Sequence, residues 1–465
     1  MNEPTPTPSL KEREAGIESH PNPPLAKGRE GLIVAKFGGS SVADASQICK
    51  VRDIVLADAR RRIVVVSAPG KRDGRDQKIT DLLFAHHDDP HSGALDTIRR
   101  RFLEIAVGLG VDHARPWIDE TCDALSSQPD PEWGASRGEY LCARIVAAFL
   151  DAAFVDAADI VRFDLDGNLV PEETYALATG RIAEEIPNRL VVIPGFYGQD
   201  TSGRVRCFSR GGSDITGSII ARAANASLYE NWTDVSGMLM ADPRVVDNPA
   251  PIREMTYREQ RELSYMGASV LHEEAVFPVR QACIPIQIRN TDDPEAPGTR
   301  IVTERVAGPS RITGIAGRRG FAVISIEKAM MNRDISYGGR VLKVLEEHGV
   351  LYEHSPAAID TFGVILTEAQ LDGQAQTIVA EIDRVAKPDR IEVRRDIALI
   401  GVVGQGLARR VGVAASIFAA LARSEVNIQL VNQWTSETNV IIGVAGVDYE
   451  KAIRAIYDEF RHDLD

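Results

Sequence analysis

The chain has 465 residues, a formal net charge of −14, 44% hydrophobic and 26% charged residues. That length allows about two or three domains with a sizeable core. The charge argues against a nucleic-acid backbone as partner, since no locally basic face is legible, and no apolar run approaches the ~20 residues that span a bilayer. Met1 to Glu30 carries six prolines, Pro4, Pro6, Pro8, Pro21, Pro23 and Pro24, among mixed charges. It buries too little to order itself, so residues 1–30 are expected to be a disordered extension. It has no apolar stretch of the secretory kind. Cys49, Cys122, Cys142, Cys207 and Cys283 are scattered without C-x-x-C spacing. They read as reduced thiols of a cytoplasmic protein, and neither a disulfide framework nor a metal site is expected.

From Leu32 to about Gln287, aliphatic strands alternate with amphipathic helices. The first strand is Leu32-Ile33-Val34-Ala35-Lys36-Phe37, followed by Gly38-Gly39-Ser40-Ser41-Val42 and a helical pattern from Ala43. A lysine, bare backbone donors and a helix start together suit a phosphate. The lysine precedes the glycines, so this is not a P-loop. Arg62 to Val66 and Leu190 to Phe196 are further apolar strands, each running into Pro and Gly. Continuous apolar strands between helices predict an α/β fold with a mostly parallel sheet sandwiched by helices. Ligands then bind at the carboxyl ends of the strands.

Ser136-Arg137-Gly138-Glu139 precedes an expected helix from Tyr140 to Leu150. It reads either as a capping box or as a functional cluster. Ser209-Arg210-Gly211-Gly212-Ser213-Asp214 opens a helix over Ile215 to Ala226. Arg210 can pair bidentately with a carboxylate, while Asp214 could equally serve the helix dipole. A strand from Leu228 then reaches Thr233-Asp234, and Ala241-Asp242-Pro243-Arg244 follows. Each could be ordinary turn chemistry.

A linker is expected near Ala296-Pro297-Gly298-Thr299. Beyond Arg311 the order β-α-β-β-α occurs twice, over about 75 residues each. The first unit has strands at Phe321–Ile326, Leu351–His354 and Thr361–Leu366 and helices at Ile335–His348 and Glu368–Val385. The second has strands at Ile397–Val403, Asn427–Asn432 and Asn439–Val444 and helices at Val411–Arg423 and Tyr449–Arg461. Two ferredoxin-like α+β units behind an α/β domain suggest a sensor attached to an enzyme.

In this order, these stretches resemble the aspartate kinases, with an amino acid kinase fold and two C-terminal ACT domains. The resemblance runs from Leu32 to Phe460 and also rests on Val66-Ser67-Ala68-Pro69-Gly70-Lys71 and Thr80-Asp81-Leu82-Leu83. It implies a kinase domain over 31–295 and ACT domains over 311–390 and 396–465. It further implies a cytoplasmic, monofunctional enzyme that phosphorylates the β-carboxylate of L-aspartate with ATP and Mg2+. That is the first step of lysine, threonine and methionine biosynthesis, and no fused dehydrogenase is expected. The chemistry agrees. A carboxylate of pKa ~3.9 is already ionised at neutral pH, so positioning and charge neutralisation suffice without a general base.

By the same resemblance Lys36 would face the transferring phosphoryl group, with donors from Gly38, Gly39 and Ser40. Asp214 would hold Lys36. Glu139 and Arg210 would grip the α-amine and α-carboxylate of aspartate, with Ser67, Thr80 and Ser213 as further substrate contacts. Gly211, Gly212, Thr233, Asp234, Asp242 and Arg244 would hold the nucleotide. Gly404, Gln405 and Gly406, with Asn427 and Gln433, would meet an amino-acid effector, lysine or threonine, although a plain strand-to-helix turn also fits Gly404 to Gly406. Pairing through ACT units would give a homodimer or higher homo-oligomer. Three positions depart from the family pattern: Ser40 replaces threonine, Ser269 a nucleotide-contacting lysine, and Trp434 a glycine. Two other readings stay open. One is a kinase of the same fold acting on glutamate, N-acetylglutamate or a nucleoside monophosphate. The other is a non-catalytic amino-acid sensor.

Overall fold

The computed structural model describes residues 31–127, 130–187, 189–209, 211–268, 270–271, 273–306, 310–433 and 438–464. The expected disordered segment, Met1 to Glu30, lies outside them, as do Arg210, Ser269 and Trp434. None of the described helices is long and apolar enough to cross a membrane.

The aliphatic runs become the middle of an eight-stranded sheet. Its order is Ala153–Phe154, Val191–Pro194, Arg61–Val66, Ile33–Phe37, Leu228–Thr233, Ile286–Asn290, Thr299–Val302 and Glu254–Thr256. Neighbours run parallel except Ile286–Asn290 against Thr299–Val302. Side chains alternate between faces. Val34, Ile63 and Val65 pack towards helices Pro171–Glu185 and Gly212–Ala223. Ala35, Phe37, Val64 and Val66 pack towards helices Ala45–Leu56, Ala94–Gly108 and Pro131–Phe149. Both faces are covered, which explains why the strands are continuously apolar rather than alternating.

Two boundaries differ from expectation. The helix read as starting at Tyr140 begins at Pro131, capped by the Asp130 side chain. Ser136 to Glu139 therefore lie inside it and cap nothing. The Ala296–Thr299 stretch is not a linker out of the domain. It turns directly into the strand Thr299–Val302, whose Thr299 and Ile301 are fully buried, so the kinase sheet runs past residue 295.

The remaining chain forms one five-stranded antiparallel sheet. Its order is Thr361–Thr367, Gly314–Glu327, Arg390–Val403, Asn439–Ala445 and Leu430–Asn432. Helices Tyr337–Glu347 and Ala375–Ala386 pack together, as do Val413–Arg423 and the terminal helix Tyr449–Phe460. The two units are nested rather than successive. Residues 314–318 pair with 399–403, while 321–327 pair with 390–397. The strand Arg390–Val403 thus runs straight across the boundary expected between 390 and 396. The expected strand Leu351–His354 reduces to a single bridge from His354 to Ile365, and Asn427–Asn432 shortens to Leu430–Asn432.

The two halves share one core, continuous from Leu32 to Phe460. Helix Tyr257–Tyr265 makes the join. A Cβ on Gly401 would lie 2.7 Å from Met266 Cγ, and one on Gly314 3.0 Å from Leu263. Glu259, fully buried, bonds Arg305 at 2.7 Å and Thr313 at 2.6 Å.

Candidate active site

The period of the sheet builds the site. Lys36 shares its face with Val34 and stands in register with Asn231 of the neighbouring strand. Both therefore point towards helix Gly212–Ala223. There Lys36 Nζ lies 2.5 Å from Asp214 Oδ1, and Asn231 Nδ2 donates to the same oxygen at 2.7 Å. Tyr229, two residues earlier on that strand, donates its hydroxyl to the Asp214 carbonyl at 3.2 Å. Lys36 is only 6% exposed. Asp214, its carboxylate partner, is held between its own helix and the two neighbouring strands, and the lysine charge sits where little water screens it. Sequence reading missed Asn231 and Tyr229. The only signal for them was their spacing on the strand that neighbours Lys36.

The glycine loop corrects one expectation. The Gly38 N–H is taken by the Trp232 carbonyl at 2.9 Å, so it is no donor to a ligand. Among the described residues nothing accepts from the Gly39 and Ser40 N–H groups. Gly39 has an ordinary right-handed backbone. It is glycine because the next loop leaves no room: a Cβ would sit 2.9 Å from the Ala68 carbonyl oxygen. Gly70 N–H donates back to Gly39 at 2.8 Å. Gly39→Ala is accordingly expected to cost about 1–3 kcal/mol and to lower turnover by displacing the free donors. Denaturant midpoints and kcat measure both, and wild-type values would refute the packing argument.

The second glycine loop starts its helix with Gly211 at φ 60°, a left-handed turn. Among the described residues nothing accepts from the N–H groups of Gly212 and Ser213 in the first turn of a twelve-residue helix, where partial positive charge gathers. Ser213 is 8% exposed and packs on Gly195, where a Cβ would lie 2.6 Å away. Phe196, beside Gly212, also holds a left-handed φ of 80°. A bulky side chain there is strained backbone.

Glu139 comes to the same end of the sheet. Gly138 packs on Ala68, and the Glu139 carboxyl lies beside the Ala68 backbone within the fields of Arg137 and Lys36. Burial pushes it up to about 8 against those favourable contacts. Its Oε2 is buried without a partner among the described residues. Such an oxygen is costly unless something completes it. Ser67 donates its N–H to the Phe37 carbonyl, and Ile79, next to Thr80, donates to Pro69. Both half-buried hydroxyls thus stand near the Ala68–Gly70 turn. Arg210 lies outside the described residues.

The nucleotide candidates gather differently. Thr233 donates to Asp234 at 3.1 Å. Asp242 and Arg244 pair with each other at 2.7 Å, with Arg244 exposed. A cavity of about 360 Å3 opens beside them, lined by Val235, Leu239, Asp242, Arg244 and Val270 among others. The expected effector residues lie in the regulatory half. A Cβ on Gly404 or Gly406 would meet the backbone of Ile312 or Arg311 at 2.6 and 2.1 Å, so the chain approaches too closely there for any side chain. Asn427 and Gln433 are exposed, and Gln405 Oε1 is buried without a partner among the described residues.

A mostly parallel sheet ending in a caged lysine and two free-donor loops defines a phosphotransferase of the amino acid kinase type. Residues 31–290 match the family model described as the amino acid kinase family, and residues 400–460 match an ACT domain. The chain is 39% identical over 451 residues to aspartokinase 3 of Bacillus subtilis, covering 92% of this chain and 98% of that protein. Its fold is similar to that of Clostridium acetobutylicum aspartate kinase, with a TM-score of 0.84, 44% identity and coverage of 92% and 99%. It is also similar to Escherichia coli aspartokinase III at 26% identity. The TM-score is 0.71 for the complex with aspartate and ADP (92% and 100% covered) and 0.70 for that with lysine and aspartate (92% and 99%). The chain belongs to the aspartokinases of the amino acid kinase family.

Proposed function

We infer that this chain transfers the γ-phosphoryl group of MgATP to the β-carboxylate of L-aspartate, giving 4-phospho-L-aspartate. The observation that carries this is the caged Lys36 ammonium within the field of the buried Glu139 carboxyl, whose Oε2 has no hydrogen-bond partner among the described residues. One supplies the cation for a phosphoryl group, and the other an acceptor for the substrate's α-ammonium. Arg210 completes the clamp on the α-carboxylate, and Ser67, Thr80 and Ser213 line the substrate's position. Two anions must meet in line, so neutralisation is the main requirement. Lys36 and the free N–H groups of Gly39, Ser40, Gly212 and Ser213 spread that charge, while Asn231 and Asp214 hold Lys36 in aim. The base and ribose occupy the cavity at Thr233–Arg244, with Mg2+ carried on the phosphates.

Trapping acyl phosphate with hydroxylamine tests the reading. A signal with MgATP and L-aspartate is expected. A signal only with glutamate, N-acetylglutamate or a nucleoside monophosphate would replace it with another kinase, and silence with every acceptor with a sensor.

Lysine is the proposed end-product effector, since a relative binds it in its solved complex. Titrating activity with lysine, threonine and methionine, singly and in pairs, tests this. We also propose a homodimer through the first regulatory unit, where Ile335, Leu351 and Ile359 are exposed at 103%, 76% and 70%. Unpaired thiols suit a cytoplasmic setting.

A further inference from the structure

The cavity beside Thr233–Arg244 has a second wall that the kinase half does not supply. Ile315, Gly317, Tyr449 and Ile453 close it from the regulatory side. Tyr449 is the first residue of the terminal helix and 8% exposed. Its orientation is fixed from several directions. The hydroxyl donates to the Gly317 carbonyl at 2.7 Å. Gly317 leaves the ring its space, since a Cβ there would come within 2.8 Å of it. The Arg319 guanidinium covers the ring at 4.6 Å.

The same helix grips the chain that carries Asp242 and Arg244. Arg454 Nε donates to the Val245 carbonyl at 2.8 Å, and Ala250 N–H donates to the Tyr457 hydroxyl at 3.0 Å. Ile315 N–H bonds the Met240 carbonyl at 2.7 Å. The loop is therefore anchored to the regulatory half on both sides of its Asp-Pro-Arg turn, once before it and twice after it.

We propose that Tyr449 is a base-binding residue of the kinase: its ring walls the part of the cavity that receives the purine of ATP. This rests on reading Thr233–Arg244 as the nucleotide seat. A fixed aromatic side chain offers a π-face that any base can stack on. Leu239 and Val270 supply apolar surface from the kinase half. ATP affinity then depends on how the terminal helix sits on residues 242–250, which gives the regulatory half a direct contact with a substrate.

Steady-state kinetics of the full chain test this, with inorganic tripolyphosphate as a probe of the phosphate subsite alone. Tyr449→Ala is expected to raise KM for ATP about tenfold. KM for aspartate, kcat at saturating ATP and inhibition by tripolyphosphate stay within about twofold by the same argument, because the base alone is affected. Tyr449→Phe, which keeps the ring, retains most of the affinity. Tyr449→Leu, which keeps bulk beside Gly317, loses it like the alanine variant and serves if that variant does not fold. Leu239→Trp narrows the cavity from the kinase side and reports on the seat itself. If it weakens ATP while the Tyr449 variants bind normally, the proposal is overturned and the seat stands. If it leaves ATP untouched, the seat is misplaced and the proposal falls with it. Equal loss of ATP and tripolyphosphate in Tyr449→Ala also overturns the proposal, since Tyr449 would then act on the whole site.

Discussion

Lys36→Ala is expected to lower kcat by roughly 10³-fold, with smaller changes in the KM values. The ammonium meets charge that develops on the transferring group, so its loss is felt most in the transition state. The variant also leaves Asp214, whose side chain is 16% exposed, without its cation. Removing one partner of such a pair is destabilising in its own right. Asn231 still donates to the same carboxylate, which moderates that effect. Lys36→Ala combined with Asp214→Asn removes the stranded charge and separates the two effects. It should recover melting temperature without recovering turnover. Acyl-phosphate trapping and thermal melts read the two quantities, and near-normal kcat in Lys36→Ala would end the phosphoryl-stabilising role.

The second large effect concerns protons. Glu139 has an ordinary carboxyl value of 4.5, which burial pushes up to about 8. In the free enzyme it is therefore neutral through most of the physiological range. An α-ammonium needs the carboxylate, so aspartate binding expels a proton. Below about pH 8, apparent affinity for aspartate should rise roughly tenfold per pH unit and then level off. Calorimetry near neutral pH in buffers of different ionisation enthalpy should show about one proton released per site.

The stability of the ligand-free chain moves the other way. Between 4.5 and about 8 the folded state holds a proton that the unfolded chain has lost. Raising pH through that window is destabilising. Glu139→Gln should lift the melting temperature at the alkaline end, weaken aspartate by about a hundredfold or more, and abolish the pH dependence of binding. Affinity that is flat across the window in the wild type would refute the assignment of Glu139 to the ammonium.

The strands around Lys36 were legible because a parallel sheet covered on both faces needs uninterrupted apolar runs. Loop chemistry was legible for a similar reason: Gly38-Gly39 and Gly211-Gly212 break strong patterns. What these glycines do was not. Gly39 answers the Ala68 carbonyl and Gly212 the ring of Phe196, contacts made across long sequence distances. Pro-Glu-Trp-Gly has no apolar period, which hides the first turns of helix Pro131–Phe149, although Asp130 and Pro131 are a good cap and first turn. Thr299–Val302 was hidden by the Pro-Gly turn just before it. Asn231 carries no local signal. It matters only because the strands register it against Lys36. The regulatory wall of the cavity was equally invisible, since Tyr449 and Arg244 lie far apart in the chain. The nesting of the two regulatory units escaped notice because each long strand reads locally as one element, while its two ends belong to different partners.

That nesting sets a timetable. Residues 321–397 can close on themselves as soon as they leave the ribosome, because their strand pairs lie within one stretch. Residues 314–318 must wait, holding an open edge, until 399–403 arrive to pair with them. The strand Asn439–Ala445 and the terminal helix come later still. Domains generally form as they are synthesised, from the N-terminus onward. The kinase sheet would then be assembled early, while the wall at Tyr449 would be among the final pieces delivered. A nascent chain would own its phosphoryl-transfer residues well before it could hold ATP firmly, so catalysis would begin only once the part that governs it is in place.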